Sequence, residues 1–221
     1  MSTRTAHRPP ASRTQHPARQ RATRRDRANA KQVERAVRAR TERRRRLLLW
    51  ATMLTGVVVL ITAALWSARD TSEATSRPAP DFTLTDTSGG TVRLADLRGK
   101  NIVLYFSEGA GCQSCLQQMV DIERNADRFD AANVTVLPIV MNTAEQIRAD
   151  MAANGVRTPF LIDDGTVSAA YGTLGKGMHE GLPGHSFVLI DAGGVQRWYG
   201  EYPSMYLSSA DLLGQIRQHL P

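Results

Sequence analysis

Apolar residues are spread unevenly along this chain, and their spacing divides it into stretches of different kinds. From Leu47 to Trp66 ("LLLWATMLTGVVVLITAALW") the chain runs 20 residues without a charge, the length a helix needs to cross a hydrocarbon core of about 30 Å. Residues 1–46 before it have almost no apolar periodicity. Residues 67–79 after it ("DTSEATSRPA" and its lead-in) are polar, hold Pro78 and read as a linker. From residue 80 to 221 short apolar runs alternate with turn signals. "FTLTDTSGGTVRLADLRGK" predicts two short strands around Ser88-Gly89-Gly90. "NIVLYF" (101–106) and "VTVLPIVM" (134–141) are continuous apolar runs, as strands buried on both faces would be. Leu116, Met119, Val120 and Phe129 recur at helical spacing. Thr143 with Gln146 forms a capping-box pattern, and the helix it opens ends at Asn154-Gly155. "TPFLID" is short and extended. "HSFVLID" and "VQRWYGEY" flank Ala192-Gly193-Gly194 as an antiparallel hairpin, and Ser208 with Asp211 opens a last amphipathic helix to about Leu220. The order strand, helix, strand, helix, hairpin, helix predicts an α/β domain with a mixed sheet, and about 140 residues suffice for one core.

Charge sharpens this division. The formal net charge is +7, but residues 1–46 hold 16 Lys or Arg against 3 Asp or Glu. The first segment therefore carries about +13, which leaves about −6 for everything after it. Residues 1–46, rich in Arg, Pro, Ser and Thr, cannot bury enough apolar surface to offset chain entropy and read as a basic disordered tail, with a frayed helix conceivable from Ala28 to Arg46. The tail lacks interleaved aromatics or a nucleic-acid-binding fold, so no specific nucleic acid is expected as a partner.

Arg43 to Arg46 lie immediately before the apolar run, while Arg69 beyond it is soon offset by Asp70 and Glu73. The positive-inside rule places residues 1–46 in the cytoplasm and the domain outside, with the lipid bilayer as a partner. A cleaved signal would put Trp66 at the −3 position for a cut after Ala68, a poor site. A twin-arginine signal at Arg44-Arg45 conflicts with the long preceding region, and a lipoprotein anchor needs a Cys that is absent.

The only two cysteines of the chain, Cys112 and Cys115, follow the 101–106 strand. If a helix begins near Cys112, its unpaired N–H groups and dipole stabilise a thiolate there. Cys115 lies one turn inside, close enough to close a disulfide, and the pair suits thiol–disulfide exchange in which Cys112 attacks and Cys115 resolves. A structural disulfide over so short a loop would constrain little of the unfolded chain. A zinc site would need a second ligand pair. No metal and no cofactor beyond the dithiol are expected.

The chain resembles the redoxin branch of the thioredoxin superfamily, close to membrane-anchored TlpA and ResA proteins and to the alkyl hydroperoxide reductase/thiol-specific antioxidant family. "APDFTLTDTSGGTVRLADLRGKNIVLYF", "GCQSC", "TPFLIDDGTVSAAYG" and "GHSFVLIDAGGVQRWYGEY" carry the resemblance. It implies a thioredoxin-like fold behind a single transmembrane helix, and a membrane-anchored extracytoplasmic thiol–disulfide oxidoreductase. It further implies disulfide-containing clients, such as apocytochrome c or copper proteins, and a membrane thiol-electron carrier. Two positions depart from the family. Gly111 stands where relatives carry Trp, and Gly184, after Pro183, stands where they carry a cis-Pro. His185 next to it would tune the sulfurs or move protons, or is an ordinary strand-start histidine.

Two other readings follow from the same family. Peroxiredoxins resemble P-x-x-x-T-x-x-C with a late Arg. Setting Cys115 at their reactive Cys puts Glu108 at the Pro, Cys112 at the Thr and Gly184 at the Arg, so three of four positions differ. Copper delivery of Sco type would use the cysteines with His179 or His185, but there three residues separate the cysteines. The candidate catalytic set is Cys112, Cys115, His185 and Glu108. The topology has a direct test: protease added to spheroplasts should degrade the CxxC domain and spare the tail, and protection of the domain would overturn the assignment.

Overall fold

The computed structural model describes residues 17–67, 69–176 and 179–221, and residues 1–16 of the expected disordered tail lie outside them. The chain divides into two compact units, Met1–Ala64 and Leu65–Pro221. The first is carried by one helix, α1 (Pro17–Ser67). The basic segment read as disordered is therefore helical from Pro17. It contains no proline beyond that point and is rich in Ala, Arg and Gln, all good helix formers. It also runs without interruption into the apolar stretch, so no separate nucleation is needed.

Within Lys31–Trp66, α1 is long and apolar enough to cross a membrane, the one such helix among the described residues. Its hydroxyls suit lipid. Thr52 donates to the Leu49 carbonyl at 2.9 Å, Thr55 to Ala51 at 2.9 Å and Thr62 to Val58 at 2.7 Å. No hydroxyl of these three then needs water inside hydrocarbon.

The second unit is built on one eight-stranded sheet. Its strands are β1 (Thr71–Pro78), β2 (Thr83–Asp86), β3 (Thr91–Arg93), β4 (Asn101–Phe106), β5 (Val134–Val140), β6 (Leu161–Ile162), β7 (Ser186–Ile190) and β8 (Val195–Glu201), in the order β1-β8-β7-β4-β5-β6-β2-β3. β4, β5 and β6 are parallel, and the other pairings are antiparallel. Five helices follow α1: α2 (Gln113–Arg124), α3 (Ala126–Ala131), α4 (Ala144–Asn154), α5 (Thr166–Ala170) and α6 (Ser209–His219). Two apolar clusters form the core, one holding Val103 and Tyr105 of β4, the other Ile102, Leu104 and Phe106. β4 thus buries both faces, as its continuous apolar run predicted.

Most expected elements stand where the pattern put them, including the capping box of α4, its left-handed cap at Gly155 and the Ser208 cap of α6. Two differ for identifiable reasons. Phe129 lies on a separate helix, because the Asn125 side chain donates to the Asp121 carbonyl at 2.9 Å and breaks α2 from α3. β5 forms where the pattern put it although it contains Pro138, a residue that central strands exclude. β5 meets β6 only at Ile139 and Val140, so at Pro138 it has β4 on one side and nothing to donate to on the other.

The second difference corrects the linker reading of residues 67–79. Residues 71–78 form β1, which pairs along β8 from Thr71 opposite Glu201 to Pro78 opposite Val195. β1 is exposed along almost its whole length, so it shows no apolar alternation and its composition matches a linker. Its binding comes from the ladder and from side chains. The Trp198 indole, fully buried, donates to Ser72 Oγ at 2.7 Å, and Arg77 Nε donates to Gln196 Oε1 at 3.0 Å. Ser72→Ala should leave the indole N–H without its partner and cost about 1 kcal/mol, a fall of a few degrees in Tm by calorimetry for a domain this size. An unchanged Tm would mean that β1 adds nothing to the domain.

Candidate functional site

β4 delivers the chain to the site. After Phe106 it turns through Ser107–Gly111 into α2, whose N-cap is Cys112. The turn depends on two glycines. Gly109 has φ of 74°, and a Cβ there would lie 2.0 Å from Asn142 Oδ1. Gly111 has φ of 85°, in the left-handed region that other residues avoid. A Trp at Gly111 would be strained, which accounts for that departure from relatives. Backbone N–H groups of the turn are fastened to the β5–α4 side: Ala110 donates to Asn142 Oδ1 at 2.8 Å and Gly111 to Asp150 Oδ2 at 2.7 Å.

Cys112 and Cys115 are joined as a disulfide with Cα atoms 5.3 Å apart. Cys112 is half-buried and Cys115 is fully buried. The Cys115 N–H donates to Cys112 Sγ at 3.3 Å, which supplies a helix N-terminal donor to the outer sulfur and stabilises its thiolate when the pair is reduced. The pair is placed as the sequence positions it, the outer sulfur at the helix start and the inner sulfur a turn within.

Glu108 and His185 have different surroundings. Glu108, 3% exposed, accepts from the His179 backbone N–H at 3.1 Å through Oε1, and its Oε2 lies 2.7 Å from His179 Nδ1. Glu108, Ala110, Cys112, His179, Leu182 and Met205 line one groove. His185 does not line it. It is 2% exposed, and its ring nitrogens face Tyr105 Oη at 3.2 Å and Gln118 Oε1 at 3.3 Å, not sulfur. Its connection to the pair is indirect, because the Tyr105 hydroxyl also lies 3.2 Å from the Cys115 carbonyl. The neighbouring Gly184 is fixed by space, since a Cβ there would meet the Lys176 carbonyl oxygen at 2.7 Å. No peptide among the described residues is cis.

Sequence reading missed Gln118. Its side chain clamps Leu207 twice, donating to the carbonyl at 2.8 Å and accepting the N–H at 2.8 Å. That fixes its amide orientation, so Oε1 faces His185 as an acceptor and His185 Nε2 carries the hydrogen. Nδ1 is then an acceptor, and it competes with the Cys115 carbonyl for the single Tyr105 hydroxyl hydrogen. A glutamine on the face of α2 that carries Leu116 and Met119 inward was the available signal, a polar residue at a core position. Among the described residues no group of three metal-ligating side chains is present.

Comparison with known proteins bears on this geometry. A sequence profile of the AhpC/TSA family matches residues 75–198. A Mycobacterium tuberculosis protein named a peroxiredoxin is 33% identical over 123 residues, 53% of this chain and 78% of its own length. The thiol-disulfide oxidoreductase ResA of Geobacillus thermodenitrificans is 28% identical over 144 residues, 50% of this chain and 80% of its own. In a solved Bacteroides thetaiotaomicron structure, described as a protein disulfide isomerase, the match has a TM-score of 0.51 at 29% identity over 65% of this chain and 88% of the other. The peroxidoxin BcpB of Mycobacterium tuberculosis gives 0.56 at 19% identity over 67% and 99%, a likeness of fold alone. The fold is thioredoxin-like, as expected.

Burial holds the His185 imidazole neutral, with its pKa lowered from 6.5 to about 4. As pH falls, the unfolded chain takes up this proton first. The stabilisation is complete above about 6.5, is lost between about 6.5 and 4, and amounts to about 3 kcal/mol over that window. Urea titrations from pH 7 to 4.5 should show the wild type losing stability faster than His185→Gln, so that the two curves converge at acid pH. Parallel curves would mean that His185 is not held neutral.

Proposed function

The chain belongs to the AhpC/TSA family, and on that premise we propose that it is a membrane-anchored thiol–disulfide oxidoreductase acting outside the cytoplasm. The observation that carries this reading is the unequal placement of two bonded sulfurs. Cys112 is accessible at a helix N-terminus, and Cys115 is sealed behind it. In the reduced protein the Cys112 thiolate attacks a client disulfide and forms a mixed disulfide, releasing one client thiol. Cys115 then attacks Cys112 Sγ and releases the second. Two electrons pass to the client, and the Cys112–Cys115 bond re-forms. The reverse sequence oxidises a client dithiol. The likeness to ResA supports exchange, and the apolar run of α1 supports anchoring, with Arg43–Arg46 favouring a cytoplasmic N-terminal side. Clients are disulfide-bearing proteins on the outer side, and a membrane thiol carrier re-sets the pair.

Peroxide reduction is the second reading, favoured by the relative named a peroxiredoxin. A peroxidase built on Cys115 would need peroxide to reach a sulfur with no exposed surface.

Single-cysteine variants separate the two. In Cys115→Ser the mixed disulfide lacks its resolving thiol, so covalent client complexes should accumulate on non-reducing gels, and in Cys112→Ser they should be largely absent. The same variants treated with hydrogen peroxide should show no rapid, stoichiometric sulfenic acid at Cys115. Fast oxidation confined to Cys115 would sink the exchange reading and promote the peroxidase.

A further inference from the structure

We propose that His179, oriented by Glu108, is the proton donor to the leaving thiolate in disulfide exchange at Cys112. The inference rests on the exchange reading above and adds a site to it. It starts from a buried polar group. The Glu108 carboxyl group is 3% exposed, a placement that is costly unless the group is satisfied. Both of its oxygens are taken by one residue, the backbone N–H and Nδ1 of His179. The His179 ring itself is 69% exposed. A carboxylate on Nδ1 fixes the tautomer and the ring direction, and leaves Nε2 as the nitrogen free to exchange protons. That ring lines the groove into which Cys112 opens, with Leu182 and Met205 as its apolar wall. His185 cannot serve this purpose, because both its nitrogens are engaged in the core.

The protons balance. In this sequence Cys112 attacks as the thiolate, and His179 Nε2 brings the proton. The thiolate attacks the client disulfide, the client S–S bond breaks, and the departing sulfur takes the proton of His179 Nε2. A Cys112–client disulfide and one client thiol result, with His179 neutral. Cys115 then displaces the second client sulfur, and the proton of the Cys115 thiol leaves with it by way of the neutral imidazole. Glu108 touches no reacting atom in this sequence and is a positioning residue.

A proton donor matters only when the leaving thiolate is basic, since weakly basic thiolates depart unaided. The test uses the reduced full chain in detergent micelles at high salt, which screens charge effects. It is mixed in single turnovers with two disulfides: an aromatic one, 5,5′-dithiobis(2-nitrobenzoate), and an alkyl one, 2-hydroxyethyl disulfide. His179→Ala should slow the alkyl reaction about ten-fold or more and change the aromatic one by less than about two-fold. Glu108→Gln should give a smaller loss on the alkyl disulfide only. Free imidazole should restore the alkyl rate of His179→Ala and leave the wild type unchanged. Equal losses on both disulfides, or no loss on the alkyl one, would overturn the proposal and reduce the Glu108–His179 contact to a loop clamp. If the wild type reacts with neither disulfide while its thiols are free, the exchange reading fails first and this proposal goes with it.

Discussion

Everything the cysteine pair does depends on a turn that must keep its shape whether or not the two sulfurs are bonded. That turn, from Ser107 to Cys112, is held by backbone donors aimed at side chains on the neighbouring strand–helix unit. Asn142 follows β5 and takes the Ala110 N–H, while Asp150 on α4 takes the Gly111 N–H. Gln113 Nε2 adds a bond to Asn154 Oδ1 at 2.6 Å. None of these anchors involves sulfur. The parallel pairing of β4 with β5 is what sets the two sides at the right distance. The capping box of α4 is therefore part of the site's support as well as a helix start, because it fixes where Asp150 and Asn154 fall.

A second set of contacts reaches the pair from below. Tyr105, on β4, stacks on Phe187 of β7 at 4.9 Å between centroids and places its hydroxyl between the Cys115 carbonyl and His185. Gln118 continues the chain to Leu207. This buried network ties α2 to the segment that leads into α6. The last stretch of chain before α6 brings Met205 to the groove. Met205 has φ of 62°, a left-handed conformation that a non-glycine residue holds only when its surroundings impose it. The Gln118 clamp two residues later and the Met205 N–H bond to the Tyr202 carbonyl at 2.9 Å supply that imposition.

Much of this was legible in the sequence, and the divide follows physical range. Strands β4 and β5 announced themselves by continuous apolar runs, α4 and α6 by caps within four residues, and the reactive pair by the spacing of its cysteines. Each signal is local. What could not be read was set by partners distant in the chain. β1 is a strand because β8 offers it an edge 120 or so residues away, and its own side chains carry no trace of that. Gln118 is separated by 89 residues from Leu207, and Glu108 by 71 from His179. Glu108 entered the candidate set by alignment, with no partner in view, and His179 was weighed only as a copper ligand. The helical basic segment is a different kind of miss. Charge and low hydrophobicity argued for disorder, while helix propensity and continuity with an apolar helix argued the other way, and the second pair prevailed.

The two histidines show why family membership leaves the chemistry open. His185 is adjacent to the family's characteristic late-strand position, yet burial keeps it neutral down to about pH 4, and its one ring hydrogen is engaged by Gln118 Oε1 in the core, away from the sulfurs. His179 sits on a connecting segment, exposed, with a carboxylate at Nδ1. Acid–base traffic at Cys112 must therefore pass on the solvent side of the disulfide, where a client's sulfurs arrive, and not through the core. A peroxidase needs the opposite arrangement, a protected pocket that admits one small oxidant to a single reactive sulfur. Here the protected sulfur is Cys115, with its carbonyl facing Tyr105, and the more open one is Cys112, beside the groove lined by Glu108, His179, Leu182 and Met205. Which sulfur faces solvent is the physical difference on which the exchange reading stands.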